Sequence, residues 1–170
     1  MSDTEALARE VLDAARRRKV MLATAESCTG GMIIAALTDI PGSSAAVDRG
    51  YVTYSNEAKI EMLDVLPATL DAYGAVSHET ALEMASGALA RSDAGIAVSV
   101  TGVAGPDGGT SEKPVGLVWF GLAETGRPTV AEQRLFENRG RDFIRRETVR
   151  TALELMLARL SEAQADLSRP

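Results

Sequence analysis

The chain has 170 residues, 45% of them apolar and only 4% aromatic, with a net charge of −6 and a pI near 4.9. That length predicts a single domain over 1–170, with a core filled by Ala, Val, Leu and Ile. The acidic balance argues against a nucleic-acid or membrane-surface partner. One cysteine excludes an internal disulfide and a multi-cysteine zinc site. The first twenty residues do not read as a signal peptide and no apolar run reaches membrane-spanning length, so the cytoplasm is the expected setting.

Leu7, Val11, Leu12 and Ala15 recur at helical spacing and predict an amphipathic helix over 3–18. The short apolar run through Val20 to Ala23 predicts a buried strand over 20–25, and Ala-rich residues predict a helix over 29–38. Between them lies Ala25-Glu26-Ser27-Cys28-Thr29-Gly30-Gly31, a polar and glycine-rich strand-to-helix turn. In an α/β sheet such a turn sits at the carboxyl edge, where ligands bind. Its hydroxyls and the free N–H groups of the helix start suit an anion or a developing oxyanion.

Pro41 to Ser44 reads as a turn, and Ala45 to Tyr54 as a β-rich segment. Short helices are predicted over 56–63, capped by Ser55 or Asn56, and over 67–73, stopped by Gly74. Ser77 is a candidate cap for a helix over 78–90. Ala94 to Val100 predicts a central strand, followed by a loop from Thr101 to Gly109. Strands are expected over 115–123 and, at an edge, over 130–136. The last helix should start near Gly140 or Arg141, with Val149, Leu153, Met156, Leu157 and Leu160 as its apolar stripe, and fray from Gln164 to Pro170. This order predicts an α/β fold: a three-layer α/β/α sandwich around a mixed, mostly parallel sheet of about five strands, with an antiparallel pair among the last strands.

Phosphate-loop, dinucleotide and zinc-protease motifs are absent, and so is the serine-hydrolase elbow, because Ala25 and Thr29 flank Ser27. The only histidine, His78, lies far from the glycine turns in sequence and reads as a first-turn helix residue. A nucleophilic Ser27 would need another base. Of Lys19, Lys59 and Lys113, Lys59 follows the second strand on a short helix. As a base it must lose its proton through burial or a neighbouring cation; otherwise it is a surface lysine paired to Glu57 or Glu61. Tyr54 reads as a proton relay or as a half-buried strand tyrosine, and Thr101 as a ligand contact or turn chemistry. Arg139, Arg141, Arg145, Arg146 and Arg150 form a cluster suited to phosphate or carboxylate, or a solvated helix face. Cys28 reads as a small buried neighbour.

Four segments together, Thr24 to Gly31, Gly50 to Lys59, Gly74 to Ser77 and Val100 to Gly109, with Lys113-Pro114-Val115-Gly116, resemble one family. It is the C-terminal domain of the competence/damage-inducible protein CinA, and the resemblance spans roughly residues 5 to 160. It implies a three-layer α/β/α fold and a nicotinamide mononucleotide deamidase that releases ammonia and nicotinic acid mononucleotide. It places the catalytic residues on Ser27, Lys59 and Tyr54. Substrate contacts fall on Thr101 with its glycine loop, Gly102 and Gly105, and on Arg141, with Arg145 as the alternative alignment. The Thr29, Gly30 and Gly31 turn is then the expected oxyanion site. No metal or organic cofactor is implied, and self-association is expected. Larger CinA proteins carry a further N-terminal domain, which this sequence does not show. Two other readings stay open: a non-catalytic nucleotide-binding module, and a partner domain in DNA uptake or damage response.

Overall fold

The computed structural model describes residues 2–167. Five strands form one sheet in the order β2-β1-β3-β4-β5, with β1 at Leu22–Glu26, β2 at Val47–Val52, β3 at Ile96–Gly102, β4 at Leu117–Glu124 and β5 at Val130–Leu135. β2, β1 and β3 pair in parallel, and β4 pairs antiparallel with both β3 and β5. Four strands therefore run one way and β4 runs against them, so the sheet is mixed, with parallel and antiparallel pairings evenly divided.

β1 and β3 are buried along both faces, and their residues alternate by size rather than polarity. Leu22, Ile96, Val98, Val100 and Phe120 point to one side, where α1 (Asp3–Arg18), α2 (Met32–Thr38) and α6 (Arg141–Leu167) close the main core. Ala23, Ala25 and Ala97 point to the other, against α3 (Asn56–Leu63), α4 (Pro67–Tyr73) and α5 (His78–Ala90). Small side chains there let α5 lie close to the sheet. Ser99 donates its hydroxyl to the Ala81 carbonyl of α5 across 2.7 Å. A Cβ on Gly121 would stand 2.3 Å from that same carbonyl oxygen, so only glycine fits at this crossing.

The helix bounds follow local chemistry. Ser2, Ser55 and Ser77 accept N–H groups from the first turns of α1, α3 and α5. Pro67 opens α4, and Gly74 ends it at φ 78°. The helices expected over 3–18, 56–63, 67–73 and 78–90 match these bounds. Three expectations change. Residues 29–31 form a turn before α2 rather than its first helical residues. Thr101 and Gly102 belong to β3, not to the loop, because β4 pairs with them as Thr101 with Trp119 and Gly102 with Val118. α6 runs to Leu167, past Gln164 where fraying was expected; residues 168–170 lie outside the described residues.

The path from β1 to β2 passes through α2 on one face, and the path from β2 to β3 passes through α3, α4 and α5 on the other. The carboxyl ends of β1 and β3 therefore flank a topological switch point, the place where open α/β sheets leave a crevice. Among the described residues no helix is long and apolar enough to cross a membrane.

The close crossing of α5 gives a stability test. Gly121→Ala should destabilise the fold by about 1–3 kcal/mol through overpacking. In thermal unfolding that is a fall of about 2–4 °C per kcal/mol for a chain of this size. An unchanged midpoint would show that α5 lifts from the sheet without cost.

Candidate active site

Ser27 is the first residue past β1, and its N–H donates to the Val100 carbonyl of β3 at 3.0 Å. This bond ties the turn across the switch point. Gly30 and Gly31 carry the chain through φ 59° and 103°, the left-handed region that favours glycine. The start of α2 is then closed by a residue the sequence reading gave no role. The buried Glu26 carboxylate accepts the N–H groups of Ile33 at 2.8 Å and Ile34 at 3.0 Å. It also accepts the hydroxyls of Thr29 at 2.6 Å and Thr24 at 3.3 Å. A carboxylate at a helix N-terminus is favoured by the helix dipole. From the other side Arg145 donates to the carbonyls of Cys28 at 3.0 Å and Thr29 at 3.3 Å.

Lys59 enters from α3 and is only 1% exposed. Its Nζ lies 3.0 Å from Ser27 Oγ, 3.0 Å from the Thr53 carbonyl oxygen and 3.2 Å from that of Tyr54. No carboxylate pairs with it among the described residues, and Glu57 and Glu61 are exposed. The surface-pair reading of Lys59 is thereby corrected. Burial without a counter-charge pushes its pKa from 10.5 down to about 8. Burial also pushes the Cys28 thiol up to about 11, so the cysteine is an inert neighbour, as its setting in the sequence suggests.

The Ser27 and Lys59 pair lies in the wall of a cavity of about 270 Å³. Tyr54, Ala75, Val76, Thr101, Gly102 and Arg141 complete most of its lining. Arg141 is held in place by the Gly105 carbonyl at 2.9 Å, and its other amino group stands 3.4 Å from the Tyr54 hydroxyl. Arg141, not Arg145, faces the cavity; Arg145 serves the turn from below.

Several sequence-predicted contacts take other places. The Thr29 hydroxyl is committed to Glu26, and Thr29, Gly30 and Gly31 shape the turn without lining the cavity. The helix start cannot serve as a free anion site, because Glu26 already fills it. Thr101 lines the cavity, but its hydroxyl donates to the Ala75 carbonyl at 2.8 Å and holds that wall. Gly105 acts through its carbonyl on Arg141. Tyr54 is 64% exposed; its phenol reaches Arg141, and only its main-chain carbonyl meets Lys59, so the expected proton relay finds no hydrogen bond to carry it. His78 packs edge-on against Trp119 with ring centroids 5.5 Å apart, outside this cavity. Among the described residues no cluster of three or more His, Cys, Asp or Glu side chains is placed to hold a metal ion.

The model of the CinA C-terminal domain matches residues 4–160. The chain belongs to the CinA C-terminal domain family. It is 46% identical over 158 residues to the nicotinamide-nucleotide amidohydrolase PncC of Escherichia coli K12, covering 92% of this chain and 95% of that one. It is 55% identical over 137 residues to a putative competence-damage inducible protein of Acetivibrio thermocellus, covering 81% of this chain but 33% of the relative. The chain thus spans about a third of that longer protein and nearly all of PncC. Among solved structures, the competence/damage inducible protein CihA from Agrobacterium tumefaciens superposes with a TM-score of 0.91 at 52% identity, covering 95% of this chain and 97% of that one. These CinA-family structures share the α/β sandwich described above.

The buried amine sets a pH signature on stability. Its folded pKa of about 8 lies below the ordinary 10.5, so between those values the unfolded chain binds the extra proton and stability rises with pH. The native protein should therefore gain on Lys59→Met between pH 8 and 10.5, with a constant difference in unfolding midpoint below pH 8. A difference flat across the whole range would show that the amine keeps its proton on folding.

Proposed function

We propose that this CinA-family domain hydrolyses the carboxamide of nicotinamide mononucleotide, giving nicotinic acid mononucleotide and ammonia in pyridine-nucleotide recycling. The observation that carries the reading is the buried Lys59 amine 3.0 Å from Ser27 Oγ, in a cavity that Arg141 also lines. The activity named for the PncC relative, which the chain matches over nearly its whole length, supports it.

The neutral amine has two N–H groups and one lone pair. The carbonyls of Thr53 and Tyr54 take the N–H groups, which leaves the lone pair for the Ser27 hydroxyl proton. The oxygen of Ser27 attacks the carboxamide carbon while Lys59 takes its proton. Cys28 lines the cavity, and its N–H, which donates to no other described residue, is the donor for the developing oxyanion. Such a donor lowers the barrier by about 3 kcal/mol. Lys59 then returns the proton to the leaving nitrogen, and ammonia departs as the C–N bond breaks. A water, deprotonated by the same amine, clears the acyl group from Ser27.

A cavity of about 270 Å³ sits at the low end of small-ligand sites, about 300–1,000 Å³. It holds the pyridine carboxamide at Ser27 and leaves the ribose phosphate to emerge past the exposed Arg141 and Tyr54. Thr101 and Gly102 shape the wall between. A small nucleotide in this role has no need of nucleic acid, membrane, metal or organic cofactor, and the cytoplasm is where such a substrate is met.

Ammonia release tests this. Ser27→Ala should lower kcat by at least about a thousandfold while mononucleotide binding persists; full activity in that variant would end the covalent route. The rate should climb with pH through about 8 and then level off, because only the neutral amine accepts the serine proton. Arg141→Ala should raise KM by about tenfold or more with a smaller change in kcat, as expected for loss of a charge-assisted contact to phosphate. Equal KM for the mononucleotide and its riboside in the native protein would remove Arg141 from phosphate binding.

A further inference from the structure

β5 forms one edge of the sheet, and its free side is set by the β4 register. Leu117 faces Leu135 and Leu122 faces Val130, and the Phe136 N–H donates to the Gly116 carbonyl in continuation of that register. The even-numbered residues thus spend their main-chain groups on β4. The N–H and carbonyl groups of Ala131, Gln133 and Leu135 point outward, and the Gln133 carbonyl is met only by the side chain of Arg134 at 3.1 Å. The strand is exposed over most of its length, with Val130 at 47% and Leu135 at 67%. It has no proline, no lysine and no bulge, and its two exposed charges, Glu132 and Arg134, are of opposite sign. The opposite edge, β2, is protected. A register irregularity interrupts its pairing, and Arg49 and Tyr51 reach across to the Arg91 carbonyl.

We propose that β5 pairs antiparallel with β5 of a second copy about a two-fold axis through Gln133, extending the two sheets into one. The argument is self-complementarity. With Gln133 opposite itself, Ala131 faces the partner's Leu135, and the outward groups of the three odd residues form about six main-chain hydrogen bonds. The even residues then fall at the closely spaced positions of the ladder, where side chains meet most directly. There Glu132 faces the partner's Arg134, and Arg134 the partner's Glu132. Glu132 and Arg134 already form an ion pair within one chain, so pairing turns two dipoles into a ring of four alternating charges. Val130 faces the partner's Phe136. The groove of about 300 Å³ between β5 and α6, lined by Phe120, Leu122, Val130 and Leu155 together with Glu132, Arg159 and Glu162, opens beside this seam. Moving the axis to Glu132 or Arg134 keeps the same main-chain groups outward but sets two like charges opposite each other, so the charge pattern selects the axis at Gln133.

Light scattering after size-exclusion chromatography at micromolar concentration tests this. The native chain should give twice its 17.9 kDa mass. Arg134→Glu puts like charges opposite each other at both positions and should shift the protein to monomer. The double exchange Glu132→Arg with Arg134→Glu restores opposite charges across the axis and should return the dimer. Gln133→Pro removes an outward N–H without touching the β4 ladder and should also yield monomer. Circular dichroism melting checks that each variant is folded, and ammonia release should persist in all of them. A monomeric native chain overturns the proposal. So does an oligomer that survives Arg134→Glu, or a folded double exchange that stays monomeric.

Discussion

A lysine amine buried without a carboxylate is the constraint on which the site depends. Taking an isolated ammonium out of water costs several kcal/mol, and a protein answers such a cost by releasing the proton. Here the Thr53 and Tyr54 carbonyls and Ser27 Oγ surround Nζ, offering dipoles but no opposing charge. The proton is thereby held loosely enough to leave near neutral pH. The lowered pKa of this amine is made by position, and its position is made by a helix of eight residues. Ser55 caps that helix, while Leu63 and Val65 anchor its end in the second core cluster. Capping and packing at residues that never meet substrate thus decide where the amine stands.

The Ser27 side of the pair is fixed by charge of the opposite kind. Glu26 takes the first N–H groups of α2 and two threonine hydroxyls, and Arg145 holds two carbonyls of the same turn. An anion favoured by a helix dipole is ordinarily read as a ligand; here the protein supplies its own. The helix start is therefore spent on rigidity, and the guanidinium that faces the cavity is that of Arg141 on another wall. This explains why Arg141 and Arg145, one helical turn apart, have different duties: the first faces the cavity, and the second reaches under Ser27.

Much of this was legible in the sequence, for reasons that can be named. Helices with a serine cap, a proline start or a glycine stop sit where they were expected, because those signals are local. The turn at Ser27 was recognisable from its glycines and from the apolar runs on both sides. Lys59 was not decidable from composition, since burial of a single amine is a tertiary fact; the family motif selected it. Three hydroxyls expected to meet substrate or a proton have partners within the protein, and one cause explains why the sequence did not show it. Thr29, Thr101 and Tyr54 are polar groups beside a site, and sequence offers no way to tell a hydroxyl that meets substrate from one that holds a wall. Thr29 is bound to Glu26, Thr101 to the Ala75 carbonyl, and the phenol of Tyr54 stands beside Arg141. Glu26 was missed for the converse reason: an acidic residue at the end of a buried strand gives no sequence sign of the four donors waiting for it.

The sheet divides the molecule's work between its halves. The parallel strands β2, β1 and β3 end in the loops that build the cavity, while the antiparallel strands β4 and β5 carry no residue of its lining. Two helices serve both: α5 packs on β4 and β5 and follows closely on the cavity-lining Ala75 and Val76, and on the other face stands α6. Its first turns place Arg141 and Arg145 at the site, and further along it Leu155 and Arg159 face β5, with Arg159 also binding the buried Glu124. A contact made along β5 therefore leaves the mouth of the cavity clear. A displacement of α6 would move Arg141, which the Gly105 carbonyl anchors at its start.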